Sequence, residues 1–302
     1  MKKILLFSLV IIIIPTIMTT IIKKEDKNDF IYEENMLIRV KRKNGNVEVI
    51  PLEKYIVGVL AGEMPLNFTD EAFKAQAIAA RTYALKKMGN NVNNEYDVVD
   101  TVQNQVYLDE EYLKHAWSVN YVDNINRLRK IVLETKGEYL TYENNTIEAF
   151  YFSTSSGTTE NSKEIFGISL PYLQNVKSTW DEISPVYEDI KRYKIIKFCE
   201  LLEIECSQEI NINIIKRTTA GTVKEFKINN INYNVSNLVN KLSLRSSNFS
   251  ISIDQDEVLI KTKGYGHGVG MSQYGAQAMS LLGYKHQEIL KYYYKNVEIK
   301  KI

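Results

Sequence analysis

The stretch VGVLAGEMPLNFTDEAFKAQAIAARTYALKKM, residues 57–88, predicts two helices joined by a short turn. Its first part is small and apolar and belongs to a short helix predicted near residues 52–60. Thr69 is a suitable N-cap for the second helix, and acidic residues follow it where the helix dipole favours negative charge. Gly89 is predicted to terminate this alanine-rich helix, whose small side chains let another backbone approach closely.

Glu63 stands alone at the end of the first apolar segment, directly before a proline. Acidic side chains are rarely buried without a partner, and an apolar environment raises the pKa of a carboxyl group. A carboxyl group that stays protonated is what a glycosidase needs as its general acid. Hydrolytic glycosidases pair two carboxylates, and the best distant candidate for a second one is Asp181, in STWDE.

A single acid/base group is sufficient when the substrate supplies its own nucleophile, as in lytic transglycosylases. In that reaction the C6 hydroxyl of N-acetylmuramic acid attacks its own C1 and a 1,6-anhydro product forms. Other catalytic classes lack support, because the sequence has no G-x-S-x-G elbow, no suggested Cys–His pair and no metal-ligand pattern. An isolated Glu63 therefore favours this chemistry.

Arg81 shares one face of the second helix with apolar residues at i, i+4 spacing, namely Phe73, Ala77 and Leu85. An arginine on such a face needs an anionic or carbonyl partner. A structural salt bridge and a role in facing the substrate both remain open.

Composition and charge are those of an ordinary globular protein, with 44% hydrophobic and 25% charged residues. The net charge of +1 gives no argument for binding nucleic acid. Cys199 and Cys206 do not form a zinc pattern, and either a disulfide outside the cytoplasm or two free thiols would account for them.

The N-terminal segment predicts a membrane anchor. Residues 4–22 carry no charge, and as a helix they would extend roughly 28 Å, close to the thickness of a bilayer's hydrocarbon core. No A-x-A-like cleavage site follows, so an uncleaved signal anchor over residues 1–22 is favoured over a cleaved signal peptide. A short tether over residues 23–35 would then lead to a globular region, residues 36–302, outside the cytoplasm.

The globular region predicts an α+β fold of mixed short strands and helices. A first hairpin turns at Asn44-Gly45, and a second turns at Asn144-Asn145 with IEAFYF as its second strand. Residues 90–136 form a helical insert between these hairpins. Residues 185–260 form a β-rich auxiliary part.

The glycine-rich loop GYGHGVGMSQYG, residues 264–275, follows a predicted strand and leads into a helix starting near Ser272. It lacks the Lys-Ser/Thr ending of a P-loop and the spacing of a dinucleotide-binding loop. Its glycines allow the backbone to lie close to a ligand or to another loop. Structural packing and the lining of a groove are both open interpretations for His267.

Five blocks occur in a characteristic order: VLAGEMP, KAQAIAARTYAL, AFYFSTSSGTTE, PYLQNVKSTWD and GYGHGVGMSQYGAQAMS. In this order they resemble the stage II sporulation protein D family, which is related to the LytB amidase enhancers. The resemblance covers roughly residues 36–300. It implies a glycan-binding groove and a membrane-anchored peptidoglycan lytic transglycosylase that acts in forespore engulfment, on strands already stripped of stem peptides.

The resemblance also implies the site residues. Glu63 matches the catalytic acid/base of the family. Further positions expected to hold the sugar are Arg81, Tyr172 and Asp181, with Gln76, Ser155, His267 and Gln273 as weaker candidates. Some relatives carry a histidine and a cysteine and bind zinc where this chain has Phe152 and Ser155, so neither zinc nor any cofactor is expected.

The expected partners are peptidoglycan glycan strands, the membrane, a partner amidase and a membrane scaffold protein, without nucleic acid. The expected location is the cell membrane, with one span and the catalytic region between the mother cell and the forespore. Two alternatives remain: a non-catalytic, glycan-binding amidase enhancer, and a structural part of an envelope assembly.

Overall fold

The computed structural model describes residues 36–206 and 210–302 of the 302-residue chain. The predicted signal anchor and tether lie outside the described residues. Within the described ranges, none of the helices combines the length and the apolar character needed to cross a membrane. The prediction of a mixed α+β fold is confirmed for this part of the chain.

The predicted first hairpin is present. Strand β1 (Leu37–Lys41) pairs antiparallel with β2 (Val47–Pro51). Gly45 adopts a φ of +91° in the turn between them, a backbone conformation that favours glycine. A short strand, β3 (Val98–Val99), pairs in parallel with the other edge of β1 and completes a three-stranded sheet.

Two helices carry the segment that follows the hairpin, α1 (Leu52–Glu63) and α2 (Asp70–Asn90). Thr69 caps α2 as predicted, because its hydroxyl accepts a hydrogen bond from the backbone N–H of Ala72 at 3.3 Å. The prediction that Gly89 terminates α2 is wrong. Gly89 does not adopt a left-handed conformation, and the helix continues to Asn90.

The predicted insert over residues 90–136 contains α3 (Glu110–Trp117) and α4 (Tyr121–Glu134), linked by a turn of 3₁₀ helix. The apolar face of α4 packs against both α1 and α2. The insert therefore covers the helix pair and contributes to the same core.

The second predicted hairpin is only partly correct. The turn lies one residue earlier than predicted, at Glu143-Asn144, and the strand that follows it, β5 (Asn145–Thr146), pairs with β4 (Glu138–Tyr142) over two residues only. The residues expected to extend it form β6 (Tyr151–Phe152), which pairs instead in parallel with a strand after the glycine loop. This pairing depends on Gly270, because a Cβ there would lie 1.9 Å from the carbonyl oxygen of Phe150.

Strands dominate the predicted β-rich part. A short helix, α5 (Ser162–Phe166), precedes it. Its two antiparallel sheets contain β7 (Glu188–Lys194), β8 (Ile212–Arg217), β9 (Val223–Ile228), β10 (Ile231–Tyr233), β11 (Phe249–Asp254) and β12 (Glu257–Lys263). The strand orders are β11-β12-β7 and β10-β9-β8. Helices α6 (Ile195–Leu202) and α7 (Val235–Lys241) join these sheets around a core of their own.

A disulfide joins Cys199 to Cys206 and decides between the two alternatives for these cysteines.

The C-terminal segment returns to the first helices. After the glycine loop come β13 (Met271–Ser272), α8 (Gln273–Leu281), α9 (His286–Tyr293) and β14 (Glu298–Lys301). Helices α8 and α9 pack against α2, and β14 pairs with β4. The start of α8 beside Ser272 agrees with the prediction, and this packing brings the glycine loop close to the end of α1.

Candidate active site

A cleft of about 530 Å³ opens beside the C-terminal end of α1, and Glu63 is one of its lining residues. Aromatic side chains are the largest group in its wall, and hydroxyl and carboxamide groups accompany Glu63 in the polar part. The aromatic members are Tyr83, Phe150, Tyr151, Phe152, Phe166, Tyr265 and His267, and the polar members are Gln103, Asn104, Ser153 and Gln273. Aromatic faces with a few polar groups are typical of a site for a sugar or another flat, hydroxylated ligand.

Glu63 is partly buried at the last position of α1. Burial raises the pKa of its carboxyl group, while a hydrogen bond from the backbone N–H of Val106, and the side chains of Gln273 and Tyr151, act in the opposite direction. The Val106 N–H donates to Oε1 of Glu63 at 2.7 Å. Because burial outweighs these contacts, the protonated form persists to higher pH than in an exposed glutamate.

Glycines on α1 allow the strand-like segment after β3 to approach this carboxyl group. A Cβ on Gly62 would lie 2.6 Å from the carbonyl oxygen of Val106, and a Cβ on Gly58 would lie 2.5 Å from that of Leu108. The N–H of Leu108 donates to the carbonyl of Gly58 at 3.2 Å. Sequence reasoning did not identify this contact, although two glycines at i, i+4 spacing on one helix are the signal that could have revealed it.

A hydrogen-bonded chain of three buried or partly buried side chains lies behind Glu63. Tyr55 donates to Oε1 of Gln105 at 3.1 Å, and Nε2 of Gln105 donates to the hydroxyl oxygen of Tyr151 at 3.0 Å. Because Tyr151 accepts this bond, its own proton is available to another acceptor in the cleft, and burial keeps its pKa well above the usual range. None of Tyr55, Gln105 and Tyr151 was a candidate from the sequence, because nothing in their local pattern distinguishes them from ordinary core residues.

Gln273 approaches Glu63 from the start of α8. Its side chain is nearly fully buried, and its Nε2 has no hydrogen-bond partner among the described residues. Ser272 fixes this position, because its hydroxyl accepts a hydrogen bond from the N–H of Gly275 at 3.2 Å and so caps the helix. A buried amide donor at the cleft is suited to hold a ligand oxygen or the ionised carboxylate.

His267 lies in the cleft, at the centre of an aromatic cluster. Its ring centroid is 6.0 Å from that of Phe150, 5.8 Å from that of Phe152 and 5.5 Å from that of Phe166. His267 is exposed along the cleft, and the rings packed around its imidazole lower its pKa, although a hydrogen bond to the backbone of Tyr151 acts in the opposite direction. Nδ1 accepts a hydrogen bond from the N–H of Val269 at 3.0 Å, so the neutral ring carries its proton on Nε2.

Sequence comparisons with known proteins identify relatives of this chain. A family model described as stage II sporulation protein matches residues 41–142. The chain is 40% identical over 261 residues to stage II sporulation protein D of Bacillus amyloliquefaciens, across 85% of this chain and 76% of that protein. The corresponding protein of Bacillus subtilis (strain 168) matches with the same identity and coverage.

This chain belongs to the stage II sporulation protein D family. A further relative, named amidase enhancer, from Bacillus subtilis (strain 168), is 30% identical over 292 residues, across 78% of this chain but 39% of that protein. The family resemblance inferred from the five sequence blocks is therefore confirmed.

In this member of the stage II sporulation protein D family, Arg81 does not line the cleft. Its side chain is fully buried and pairs with Glu53, with Nη2 2.6 Å from Oε2 and Nε 2.9 Å from Oε1. Nη1 donates to the carbonyl of Glu138 at 3.0 Å. Of the two alternatives left open by the sequence, the geometry supports the structural salt bridge.

Asp181 also lies outside the cleft lining, in a fully buried polar network. It accepts hydrogen bonds from the N–H of Ser155 at 2.7 Å, from the hydroxyl of Ser178 at 2.5 Å and from the hydroxyl of Ser272. Burial raises the pKa of Asp181 to about 6, although these bonds favour the charged form. In this position Asp181 fixes the start of α8 and thereby Gln273.

The remaining predicted positions lie in the core of this family member and not in the cleft. Tyr172 is nearly fully buried, and its hydroxyl accepts a hydrogen bond from the N–H of Glu148 at 3.0 Å. Gln76 is fully buried, and neither polar atom of its side chain has a hydrogen-bond partner among the described residues. Ser155 is buried beside Asp181. Of the sequence-based candidates, the structure thus brings together Glu63, His267 and Gln273.

The two positions at which some relatives carry zinc-binding residues, Phe152 and Ser155, lie at the end of β6 and in the loop after it. Phe152 packs against His267, and Ser155 contributes its backbone N–H to Asp181. Across residues 36–206 and 210–302, no group of three or more His, Cys, Asp or Glu side chains could hold a metal ion. The absence of zinc remains a prediction from the sequence.

Proposed function

We propose that this chain is a membrane-anchored peptidoglycan lytic transglycosylase. Its substrate would be a glycan strand stripped of stem peptides, cleaved at the MurNAc–GlcNAc β-1,4 bond with formation of 1,6-anhydroMurNAc. The observation that carries the proposal is Glu63, a partly buried carboxyl group of raised pKa that lines a largely aromatic cleft.

The number of carboxyl groups favours a lyase over a hydrolase. Among the described residues that line the cleft, Glu63 is the sole carboxylate. A hydrolytic glycosidase uses a second carboxylate as nucleophile or as general base for water. Asp181 is fully buried and hydrogen-bonded outside the cleft lining, so it is not placed for that role.

The reaction balances with Glu63 as both acid and base. The protonated carboxyl group donates its proton to the glycosidic oxygen as the bond from that oxygen to C1 of MurNAc breaks. The C6 hydroxyl oxygen of the same MurNAc forms a new bond to C1, and its proton passes to the carboxylate of Glu63. The acid is thereby regenerated, and no water molecule is consumed.

Other cleft groups have roles that their donors and acceptors support. The Val106 N–H would stabilise the carboxylate formed after proton donation, because hydrogen bonds to the ionised form favour it. The amide of Gln273 and the hydroxyl of Tyr151 would orient a ligand oxygen beside it. His267, neutral within its aromatic cluster, would contribute a ring face.

The cellular setting is part of the same proposal. The catalytic region would lie outside the cytoplasm, in the space between mother cell and forespore, and would act in engulfment with a partner amidase and a membrane scaffold protein. The Cys199–Cys206 disulfide supports a location outside the reducing cytoplasm. The uncharged stretch over residues 4–22 supports a membrane anchor.

A second candidate function is a non-catalytic module that binds glycan and stimulates an amidase. It is favoured by the similarity to the Bacillus subtilis amidase enhancer. The two functions differ in their dependence on the proton of Glu63, since stimulation by binding alone requires no acid.

The deciding experiment incubates purified protein with peptide-free glycan strands and analyses the products by mass spectrometry. The wild type is expected to release anhydro-muramoyl products, which are lighter than hydrolysis products by one water. Glu63→Gln is expected to abolish release without lowering the melting temperature. Glu182→Gln, which changes an exposed carboxylate, is the matched control and should retain activity.

Three results would count against the lyase. Products that carry an added water would indicate hydrolysis. Full activity in the Glu63→Gln variant would show that Glu63 is not the acid. A wild type that stimulates an amidase but releases no product itself would establish the second candidate function.

A further inference from the structure

A second cavity, of about 720 Å³, adjoins the cleft and shares Asn104 with it. The loop between α2 and β3 forms most of its wall. We call it the asparagine pocket, because five asparagines line it: Asn90, Asn91, Asn93, Asn94 and Asn104. Both cavities have the size of ligand-binding sites.

Arg39 on β1 holds the loop of the asparagine pocket in place. Its guanidinium donates to the carbonyl of Asn91 at 2.9 Å and to that of Asn94 at 2.5 Å, and it pairs with Asp97 at 2.6 Å. The side chain of Asn91 donates in turn to the carbonyl of Asp97 at 2.7 Å. A loop fixed in this way loses little conformational entropy when a ligand binds.

The groups that the pocket offers to a ligand are mostly neutral carboxamides. Asn90 and Asn93 are exposed, and each carboxamide can donate two hydrogen bonds and accept two. Of its charged members, Asp97 pairs with Arg39 and Lys87 pairs with Glu148 at 3.2 Å, while Glu95 is an exposed carboxylate that disfavours an anionic ligand. Hydroxyl and acetamide groups match such a lining better than a phosphate or a carboxylate does.

Asn104 connects the two cavities. Its Nδ2 donates to the hydroxyl oxygen of Tyr83 at 2.9 Å, and its Oδ1 accepts from the N–H of Val99 at 2.8 Å. Tyr83 lines the cleft, and Lys87, one helical turn further along α2, lines the asparagine pocket. A linear polymer bound at Glu63 can therefore continue past Asn104 into the pocket.

We propose that the asparagine pocket binds one or more N-acetylhexosamine residues of the glycan strand whose scissile bond lies at Glu63. The inference rests on the proposed function, since it requires that the cleft holds a glycan strand. It adds a site at some distance from the reacting bond and makes chain length a determinant of binding.

The test measures the affinity of N-acetylglucosamine oligomers, from the disaccharide to the hexasaccharide, by calorimetry. The full chain in mild detergent would carry Glu63→Gln, so that binding is measured without turnover. Adding Asn90→Ala and Asn93→Ala is expected to lower the affinity for the hexasaccharide about tenfold, the loss of one or two neutral hydrogen bonds. The affinity for the disaccharide should stay unchanged.

The control is Asn232→Ala, which removes an exposed carboxamide from β10. Melting temperatures establish that each variant is folded. Equal hexasaccharide affinity in the double asparagine variant and the Asn232→Ala control would overturn the inference, as would failure of every oligomer to bind. Length-dependent binding without release of anhydro products by the wild type would support the pocket while refuting the lyase.

Discussion

The backbone N–H of Val106 lies 2.7 Å from Oε1 of Glu63, although the two residues are 43 positions apart in the sequence. Gly62 permits this contact, since a Cβ there would lie 2.6 Å from the carbonyl oxygen of Val106. The glycine before the glutamate thus determines which hydrogen bond the proposed acid receives.

Gly62→Ala is therefore expected to displace Val106 and to weaken its hydrogen bond to Glu63. This bond favours the ionised carboxylate, so its loss raises the pKa of Glu63 further. The pH at which kcat/KM declines on the alkaline side should therefore rise by about one pH unit. The maximal rate should also drop roughly ten- to hundredfold, because the carboxyl group of Glu63 is misplaced. Gly89→Ala is the control, because nothing lies within 4 Å of its added Cβ. An unchanged pH profile for Gly62→Ala would contradict this account.

Ser272→Ala is expected to lower both stability and activity. The hydroxyl of Ser272 caps α8 and donates to Asp181, so its removal should reduce the free energy of unfolding by roughly 1–3 kcal/mol. Activity should fall as well, because the start of α8 positions Gln273. Asn234→Ala removes the cap of α7, away from the cleft, and should cost about 1 kcal/mol with activity retained. Equal effects of the two variants on kcat/KM would argue against a positioning role.

Arg81→Ala is expected to act through stability. It leaves Glu53 without its cationic partner, and breaking a buried ion pair costs roughly 3–5 kcal/mol in urea unfolding. The double variant Arg81→Met/Glu53→Gln removes both charges and should recover much of the loss together with the activity. A double variant that is stable but inactive would restore the substrate-facing role as the better explanation.

The pair Glu71–His286 predicts a loss of stability in acid. Burial alone would raise the pKa of Glu71, but hydrogen bonds from the ring and the backbone N–H of His286 outweigh it and lower the pKa to about 2. A carboxyl group with a depressed pKa stabilises the fold above its ordinary pKa near 4.5, and this contribution is lost as the pH falls towards 2. Because solvent screens this partly exposed pair, the contribution is discounted to about 1–2 kcal/mol.

Urea unfolding measured between pH 6 and pH 2 tests this prediction, and Glu71→Gln should show a flatter decline than the wild type over about pH 4.5 to 2. The exposed Glu111→Gln variant is the control and should follow the wild type. A decline as steep in Glu71→Gln as in the wild type would show that other carboxyl groups dominate.

Local pattern was enough to predict several elements. Thr69 caps α2, Asn44-Gly45 turns the first hairpin, and α8 begins beside Ser272, because caps, turns and glycine conformations depend on neighbouring residues. The isolated Glu63 was identified in the same way, from a single acid within an apolar run.

Two predictions from local pattern were wrong, and the strand error occurred where distant segments meet. IEAFYF is a plausible strand by itself, yet the hairpin pairing with β4 stops at Asn145–Thr146, and Tyr151–Phe152 of this segment pair with β13. Gly89 is a plausible helix stop, yet α2 continues through it. For IEAFYF, the long-range pairing of Tyr151–Phe152 with β13 outweighed a local strand preference that is worth about 1 kcal/mol.

The sequence by itself determined the fold class, the family and the isolated acid, because composition, periodicity and ordered blocks are properties of the chain alone. Only the tertiary structure decided which candidates line the cleft: His267 and Gln273 join Glu63, whereas Arg81 and Asp181 are held by buried partners elsewhere. The physical reason is that hydrogen bonds and ion pairs act over a few ångströms in space, and linear spacing does not encode which distant residues fall within that range.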